Sequence, residues 1–169
     1  MEASKLNQRA AYQATTSTII KRIGYRLPAT EMTADQCDKV TSRIFKCSLP
    51  KMGISSKFPL VYQHAPRSRN GLGLPDIRLT QFSGQIKEIV LHTNRKTLNS
   101  TLFYTNLELV HLHIGMGAPL WSYSYRELHK LVPDCEAKFL WKECSYFGVK
   151  LHGDYTRPEV CRLDDQLIM

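Results

Sequence analysis

The spacing of hydrophobic residues predicts α-helices along most of the chain. Apolar side chains recur every three or four positions, which is the period of a helix with one buried face. The predicted helical segments are residues 3–23, 33–47, 76–95, 97–114 and a last one that opens at 133–134. Thr33 with Gln36 has the sequence of a capping box at the start of the second segment.

Residues 48–75 interrupt this pattern with four prolines and three glycines. Phe58–Gln63 and Leu72–Leu74 are typical of short strands, and Asn70-Gly71 is a strong turn signal between them. Gly71 is interpreted as a turn glycine and Gly73 as one that allows close backbone approach. The predicted fold class is therefore mainly α, a bundle of about five helices with one small β-hairpin. It forms a single domain over residues 1–153, followed by a loose tail over 154–169.

The pattern also predicts which residues are buried. Cys37 and Cys47 both fall on the apolar stripe of their helix, so we expect both in the core. Gly84 inside a helix favours close packing against a neighbour. Segment 97–114 is apolar on nearly every side, which predicts the central helix of the bundle. Its two stripes are Leu98, Leu102, Leu109 and Leu112, and Phe103, Leu107, Val110 and Ile114.

Charge adds a candidate partner. The chain carries 23 Lys and Arg against 15 Asp and Glu, a net charge of +8. Residues 51–96 alone hold 8 basic and 2 acidic residues. Such a field favours nucleic acid, although a merely solvated basic surface is equally compatible with it. The candidate nucleic-acid-binding residues, which surround or follow Tyr62 and His64, are Lys51, Lys57, Arg67, Arg69, Arg78 and Lys87.

Five cysteines without a paired spacing and a polar N-terminal segment predict free thiols in an intracellular, reducing compartment. The pattern does not separate nucleus from cytoplasm. Apolar runs of only a few residues predict that the chain does not span a membrane.

No residue pattern points to catalysis, a cofactor or a metal. Asp164-Asp165 is the only adjacent acidic pair, and it lies near the end of the chain, where a solvated tail is expected. His111 and His113 are two apart, so on a helix they point in different directions, and with Glu108 they make a poor metal site. We expect no enzyme activity from this chain alone.

Several motifs in a fixed order resemble one family. They are Leu27-Pro28-Ala29-Thr30, Thr33 with Gln36-Cys37, Leu49-Pro50-Lys51-Met52-Gly53-Ile54, Phe58-Pro59, Gly71-Leu72-Gly73-Leu74-Pro75, and Gln81 with Gln85-Ile86. The order is similar to the region after the palm in reverse transcriptases of LINE-type (non-LTR) retroelements. The resemblance covers roughly residues 20–115 and, more weakly, 135–152. Asn70 stands where that family has the first glycine of a Gly-Gly-Leu-Gly-Leu-like motif.

The resemblance implies a thumb and post-thumb fragment of a retroelement polymerase. The palm, with its Mg²⁺-binding aspartates, would lie upstream, and the chain starts at Met1 without it. Without the palm, the resemblance implies that this chain binds the backbone of an RNA–DNA or DNA duplex. Two alternatives stay open: an intact enzyme of unknown type, and a helical protein–protein interaction module that docks an unknown protein through Trp121, Tyr123 and Tyr125.

Overall fold

A computed structural model of the chain describes residues 6–93, 95, 97–115 and 118–152. Within those ranges the regular structure is helical and contains no strand, so the predicted mainly helical class is confirmed. The α-helices are α1 (Gln8–Gln13), α2 (Lys21–Gly24), α3 (Ala34–Lys51), α4 (Leu60–His64), α5 (Ile77–Thr93), α6 (Leu98–Ile114), α7 (Tyr125–Leu128) and α8 (Glu136–Phe147). A π-helical segment, Ala14–Ile20, joins α1 to α2, and 3₁₀ turns cover Leu27–Ala29, Arg67–Arg69 and Leu120–Ser122.

The chain divides into two compact units, Met1–Gln85 and Ile86–Met169. The division falls within α5, and each unit is described below by itself. The predicted tail 154–169, with Cys161 and the Asp164-Asp165 pair, lies outside the described residues.

The predicted β-hairpin is wrong. Residues 60–64 of its first arm form α4, because Pro59 sets the backbone at the helix start. A helix this short leaves its carbonyl groups without partners inside the helix. The extended residues that follow the turn satisfy them: the Leu72 N–H donates to the Tyr62 carbonyl and the Leu74 N–H to the Gln63 carbonyl, both at 2.9 Å.

The first helical run widens where the sequence is rich in threonine. The Thr15 and Thr16 hydroxyls donate to the carbonyls of Ala11 and Tyr12, each at 2.9 Å. Side chains that bond back to the preceding turn compete with the backbone ladder and distort it. The π-helical segment Ala14–Ile20 coincides with these residues.

Helix α3 begins and ends at recognisable caps. At its start the predicted capping box is present: Thr33 N–H donates to Gln36 Oε1 at 2.9 Å, and Gln36 N–H to Thr33 Oγ1 at 3.4 Å. At its end, Gly53 lies in the left-handed region with φ 75°. The Ile54 N–H then donates to the Leu49 carbonyl and the Gly53 N–H to the Pro50 carbonyl, each at 3.0 Å. This pair of bonds is a Schellman motif, so the Leu49–Ile54 sequence is accounted for as a helix end.

The two cysteines of α3 do not share one environment. Cys37 is buried beside Leu27 and Ile77, as predicted. Cys47 is exposed, so its prediction as a core residue is wrong. Ten residues turn a helix by about 1,000°, which places Cys47 roughly 80° away from Cys37 around the axis. Phe45 and Leu49 are buried at that end of the helix instead.

Two glutamines of α5 hold the segment that precedes α3. Gln81 is buried, and its amide makes two hydrogen bonds to the backbone of Met32, accepting from N–H at 3.3 Å and donating to the carbonyl at 3.2 Å. Gln85 donates to the Thr30 carbonyl at 3.2 Å. Between them, a Cβ on Gly84 would come within 2.7 Å of the Pro28 ring, so the predicted close packing at this glycine is confirmed.

The second unit is built on contacts of α6 with α8, and of α8 with α7 and with the turn Leu120–Ser122. The apolar residues that α8 buries are Ala137, Leu140, Trp141 and Cys144. The prediction that α6 is buried on nearly every side is wrong. Phe103, Leu107, Val110 and Ile114 are buried, whereas the stripe of Leu98, Leu102, Leu109 and Leu112 is exposed.

The Gln81 clamp can be tested by a substitution that keeps the volume and removes the amide. Gln81→Leu leaves one backbone donor and one acceptor of Met32 without partners. We expect the free energy of unfolding, measured in urea, to fall by about 2 kcal/mol. Ser83→Ala on the exposed face of α5 is the control, with an expected change within about 0.5 kcal/mol. An equal effect of the two variants would contradict the clamp.

The cysteine environments predict a labelling order. In the native protein, maleimide modifies Cys47 and spares Cys37 and Cys144, which react only after unfolding. Burial raises the pKa of the Cys144 thiol to about 12, so at neutral pH it lacks the reactive thiolate as well as access. Mass mapping of the labelled peptides measures the order. Modification of Cys144 as fast as Cys47 would contradict the burial described here.

Candidate nucleic-acid interface

The turn between α4 and α5 is held by a set of backbone hydrogen bonds. The Gly73 N–H donates to the Ala65 carbonyl at 2.9 Å and the Gly71 N–H to the Pro66 carbonyl at 3.2 Å. Asn70 ends the 3₁₀ turn in the left-handed region, with φ 59°. The turn signal at Asn70-Gly71 is therefore used, although it closes a helical turn and not a hairpin.

The two glycines of this turn have the reverse of their predicted roles. Gly71 is the position of close approach, because a Cβ there would overlap the backbone carbonyl of Ala65. Gly73 is the position with a left-handed backbone, at φ 64°, and a Cβ there would meet only ordinary contacts. The turn thus requires the absence of a side chain at Gly71 and a tolerant backbone at Gly73.

Arg67 is held in place by Tyr12. Its guanidinium carbon lies 4.3 Å from the centre of the Tyr12 ring, which is the geometry of a cation–π contact. The Tyr12 hydroxyl in turn donates to the Leu72 carbonyl at 3.0 Å. The turn, the tyrosine and the arginine are therefore positioned together. Tyr12 and Arg67 contribute to an open groove of about 460 Å³, whose lining residues are Arg9, Tyr12, Gln13, Thr16, Ser17 and Arg67.

Two polar side chains of α4, those of Gln63 and His64, make hydrogen bonds within the first unit. His64 Nδ1 lies 2.8 Å from the Leu74 carbonyl, and since a carbonyl oxygen only accepts, the ring nitrogen donates. Gln63 is buried and donates to the Phe58 carbonyl at 2.6 Å. Tyr62, by contrast, keeps an exposed ring. Of the two aromatic residues expected at this surface, one is structural and one is free to meet a ligand.

The six predicted cations fall into different environments. Lys57, Arg67 and Arg69 are exposed and belong to the segment around the turn. The Nζ of Lys51 is buried and has no hydrogen-bond partner among the described residues, so it does not present its charge to solvent in this conformation. Arg78 is half-buried at the start of α5.

Lys87, the sixth candidate, is exposed but lies in the second unit. Three of the six predicted residues, Lys57, Arg67 and Arg69, are therefore exposed in the first unit, and we call these three with Arg9 the turn surface.

Sequence reasoning missed several exposed cations of the first unit, among them Arg9, Lys39, Arg43 and Lys46. Arg9 joins Arg67 in lining the groove. Lys39, Arg43 and Lys46 are exposed on α3, and their spacing of four and three residues places them on one face, which we call the α3 stripe. The spacing was a readable signal. The α3 stripe opens a run, residues 39–75, that contains seven Lys and Arg and no Asp or Glu.

The described residues contain no arrangement that supports a metal site or a membrane span. No group of three or more His, Cys, Asp or Glu in them could hold a metal ion. His111 is buried on α6 and His113 is exposed, so the two rings do not converge. No helix among the described residues has the length and apolar character needed to cross a bilayer.

The aromatic connector before α7 packs inside its own unit. Trp121 is buried, and the Tyr125 ring meets the buried Trp141 edge to face at 5.2 Å. The Tyr123 carbonyl accepts a hydrogen bond from Trp141 Nε1 at 3.3 Å. The Tyr123 hydroxyl accepts one from the Ala118 N–H at 2.8 Å. These three aromatic residues therefore stabilise the second unit and offer little surface to a partner.

Comparison with known proteins adds no relative. No known protein family, no curated protein and no solved structure matches this chain.

The close approach at Gly71 gives a test of the turn. Gly71→Ala pushes a methyl group into the Ala65 carbonyl, so the turn has to open, and we expect a loss of more than about 2 kcal/mol in urea unfolding. Gly73→Asn keeps a residue type that tolerates a left-handed backbone and is expected to cost no more than about 1 kcal/mol. The reverse ranking of the two variants would show that the turn is built differently.

Proposed function

We propose that this chain binds the phosphate backbone of a nucleic-acid duplex without reading its sequence, and that the turn surface makes the central contacts. The observation that carries the proposal is the position of the Arg67 guanidinium over the Tyr12 ring. Arg67 and Arg9 line the same groove. The α3 stripe adds three exposed cations of the same unit. The proposal assigns no catalytic residue.

A positioned arginine suits this role for a physical reason. The guanidinium presents several donors in a planar fork that matches phosphate oxygens. Holding it against Tyr12 reduces the side-chain entropy that binding would otherwise cost. Ser17 lines the same groove, and its hydroxyl is a neutral donor of the kind that commonly accompanies arginine on phosphates.

The charge distribution supports contact with the backbone and not with bases. Residues 39–75 lack any acidic side chain, so nothing in that run repels a polyanion. The Tyr12 ring is covered by Arg67, and the His64 ring nitrogen is bound to Leu74. Of the three aromatic residues Tyr12, Tyr62 and His64, Tyr62 is the one available to stack on a base, whereas several cations remain for phosphates.

We further propose a relation to the post-palm region of LINE-type reverse transcriptases, which rests on the order of the motifs. In that setting the chain would be a non-catalytic fragment that grips a template–primer duplex. A role as a protein-docking module through Trp121, Tyr123 and Tyr125 has less support, because those side chains make contacts within their own unit.

The proposal predicts the salt dependence of binding. The triple variant Lys57→Ala, Arg67→Ala, Arg69→Ala is compared with the wild-type chain on a DNA duplex and an RNA–DNA hybrid. At about 50 mM salt we expect the affinity to fall at least tenfold, roughly, because three phosphate contacts are lost. The slope of log K against log salt should decrease in magnitude by about 0.9 for each contact removed.

The control removes the same charge from elsewhere. Lys130, Lys142 and Lys150 are exposed cations of the second unit, and their triple alanine variant lowers the net charge equally. We expect this variant to retain most of the affinity. If it loses as much as the turn-surface variant, binding reflects net charge alone and the site assignment is wrong. If the wild-type chain binds neither duplex at low salt, the function itself is wrong.

A further inference from the structure

Helix α6 carries a second apolar stripe that the fold leaves uncovered. Leu98, Leu102, Leu109 and Leu112 are exposed by 75%, 55%, 39% and 80%. Exposed single leucines are common on proteins, but four on one face of one helix are not. Around the helix axis this stripe lies opposite the buried stripe of Phe103, Leu107, Val110 and Ile114, so α6 has two separate apolar faces.

The spacing of the exposed stripe identifies the kind of partner that fits it. The residues are 98, 102, 105, 109 and 112, with intervals of four, three, four and three, and Thr105 takes the middle position. This is the a/d spacing of a coiled coil, in which Leu102 and Leu109 are at a and Leu98, Thr105 and Leu112 at d. A seam of that period is complementary to another helix with the same period.

We propose that α6 pairs with α6 of a second copy of this chain, in parallel orientation, to form a two-stranded coiled-coil dimer. The residues that flank the seam support self-pairing. Glu108 takes a g position and His113 the e position five residues later. In a parallel pair, each g residue faces the following e residue of the other helix.

Glu108 of each copy would thus meet His113 of the other, twice in the dimer. Both residues are exposed and are free to turn toward the second copy. The remaining flanking residues, Asn99, Thr101 and Asn106, are uncharged, so no like charges oppose the parallel arrangement. In an antiparallel pair the same Glu108 would face residues near the other end of the seam and would gain no such partner.

The seam is tested in the full chain by sedimentation equilibrium. With increasing concentration, from about 1 µM to about 1 mM, we expect the wild-type mass to rise toward twice 19.4 kDa. Leu102→Glu with Leu109→Glu brings four like charges into the seam and should weaken the dimer by at least about a hundredfold. Leu131→Glu, an exposed leucine of the same unit, is the matched control and should dimerise as wild type does.

Circular dichroism separates loss of pairing from loss of folding. All three leucines are exposed, so the helical signal of each variant should match that of the wild type. A wild-type chain that stays monomeric over the whole concentration range overturns the proposal. So does a control that loses the dimer as the seam variant does, because the contact would then lie elsewhere.

The orientation has its own test by charge exchange. Glu108→Lys alone sets a lysine against His113 of the second copy and should weaken the dimer severalfold, and adding His113→Glu should restore it. Failure of the second change to restore affinity overturns the parallel arrangement. None of these substitutions touches the turn surface, so the outcome is independent of nucleic-acid binding.

Discussion

The first unit depends on how the unpaired carbonyl groups of a one-turn helix are satisfied. Helix α4 is too short to bond the carbonyls of Tyr62 and Gln63, and the extended residues after the turn donate to them instead. This pairing brings Leu72 and Leu74 against the core of Phe45, Leu49 and Met52, and it places the Leu72 carbonyl where the Tyr12 hydroxyl reaches it. Because Arg67 rests on the Tyr12 ring, the position of the best phosphate-binding candidate follows from a backbone hydrogen-bonding requirement.

The motifs that suggest a retroelement relative acquire physical meanings in this structure. Leu49–Ile54 is a Schellman cap, Asn70 with Gly71 and Gly73 forms a tight turn, and Gln81 and Gln85 clamp the preceding segment. Each residue type is required by its local geometry. These requirements explain why the motifs belong together in one fold, and they also mean that another helical protein with the same geometry would need the same residues. The proposed relation to a polymerase family therefore rests on the order of the motifs.

Local signals in the sequence predicted local structure well, and long-range pairing poorly. The capping box at Thr33, the helical period of α3 and α8 and the tight contact at Gly84 all depend on residues whose chemistry dictates the outcome. The prediction of a β-hairpin was wrong because β-propensity describes how side chains fit a sheet. Among the described residues no neighbouring strand is present to complete such a sheet. The predicted burial of Cys47 was wrong because a small error in helical phase accumulates over ten residues. In the candidate site, the charge of the turn was readable, but the burial of Lys51 and the support of Arg67 by Tyr12 required the fold.

The α6 leucines show why hydrophobicity alone does not define a core. A helix that is apolar on two opposite faces can be central in a bundle, or it can bury one face internally and offer the other to a partner. The exposure of one face distinguishes these cases in α6, and the intervals of three and four residues along that face match a supercoiled helix pair. If the chain pairs in this way, each dimer carries two turn surfaces, one from each copy. Where a long duplex meets both of them, apparent affinity would rise with protein concentration without any new contact to phosphate. A short duplex that admits one turn surface measures the intrinsic contact, and the difference between the two lengths then reports the contribution of the dimer.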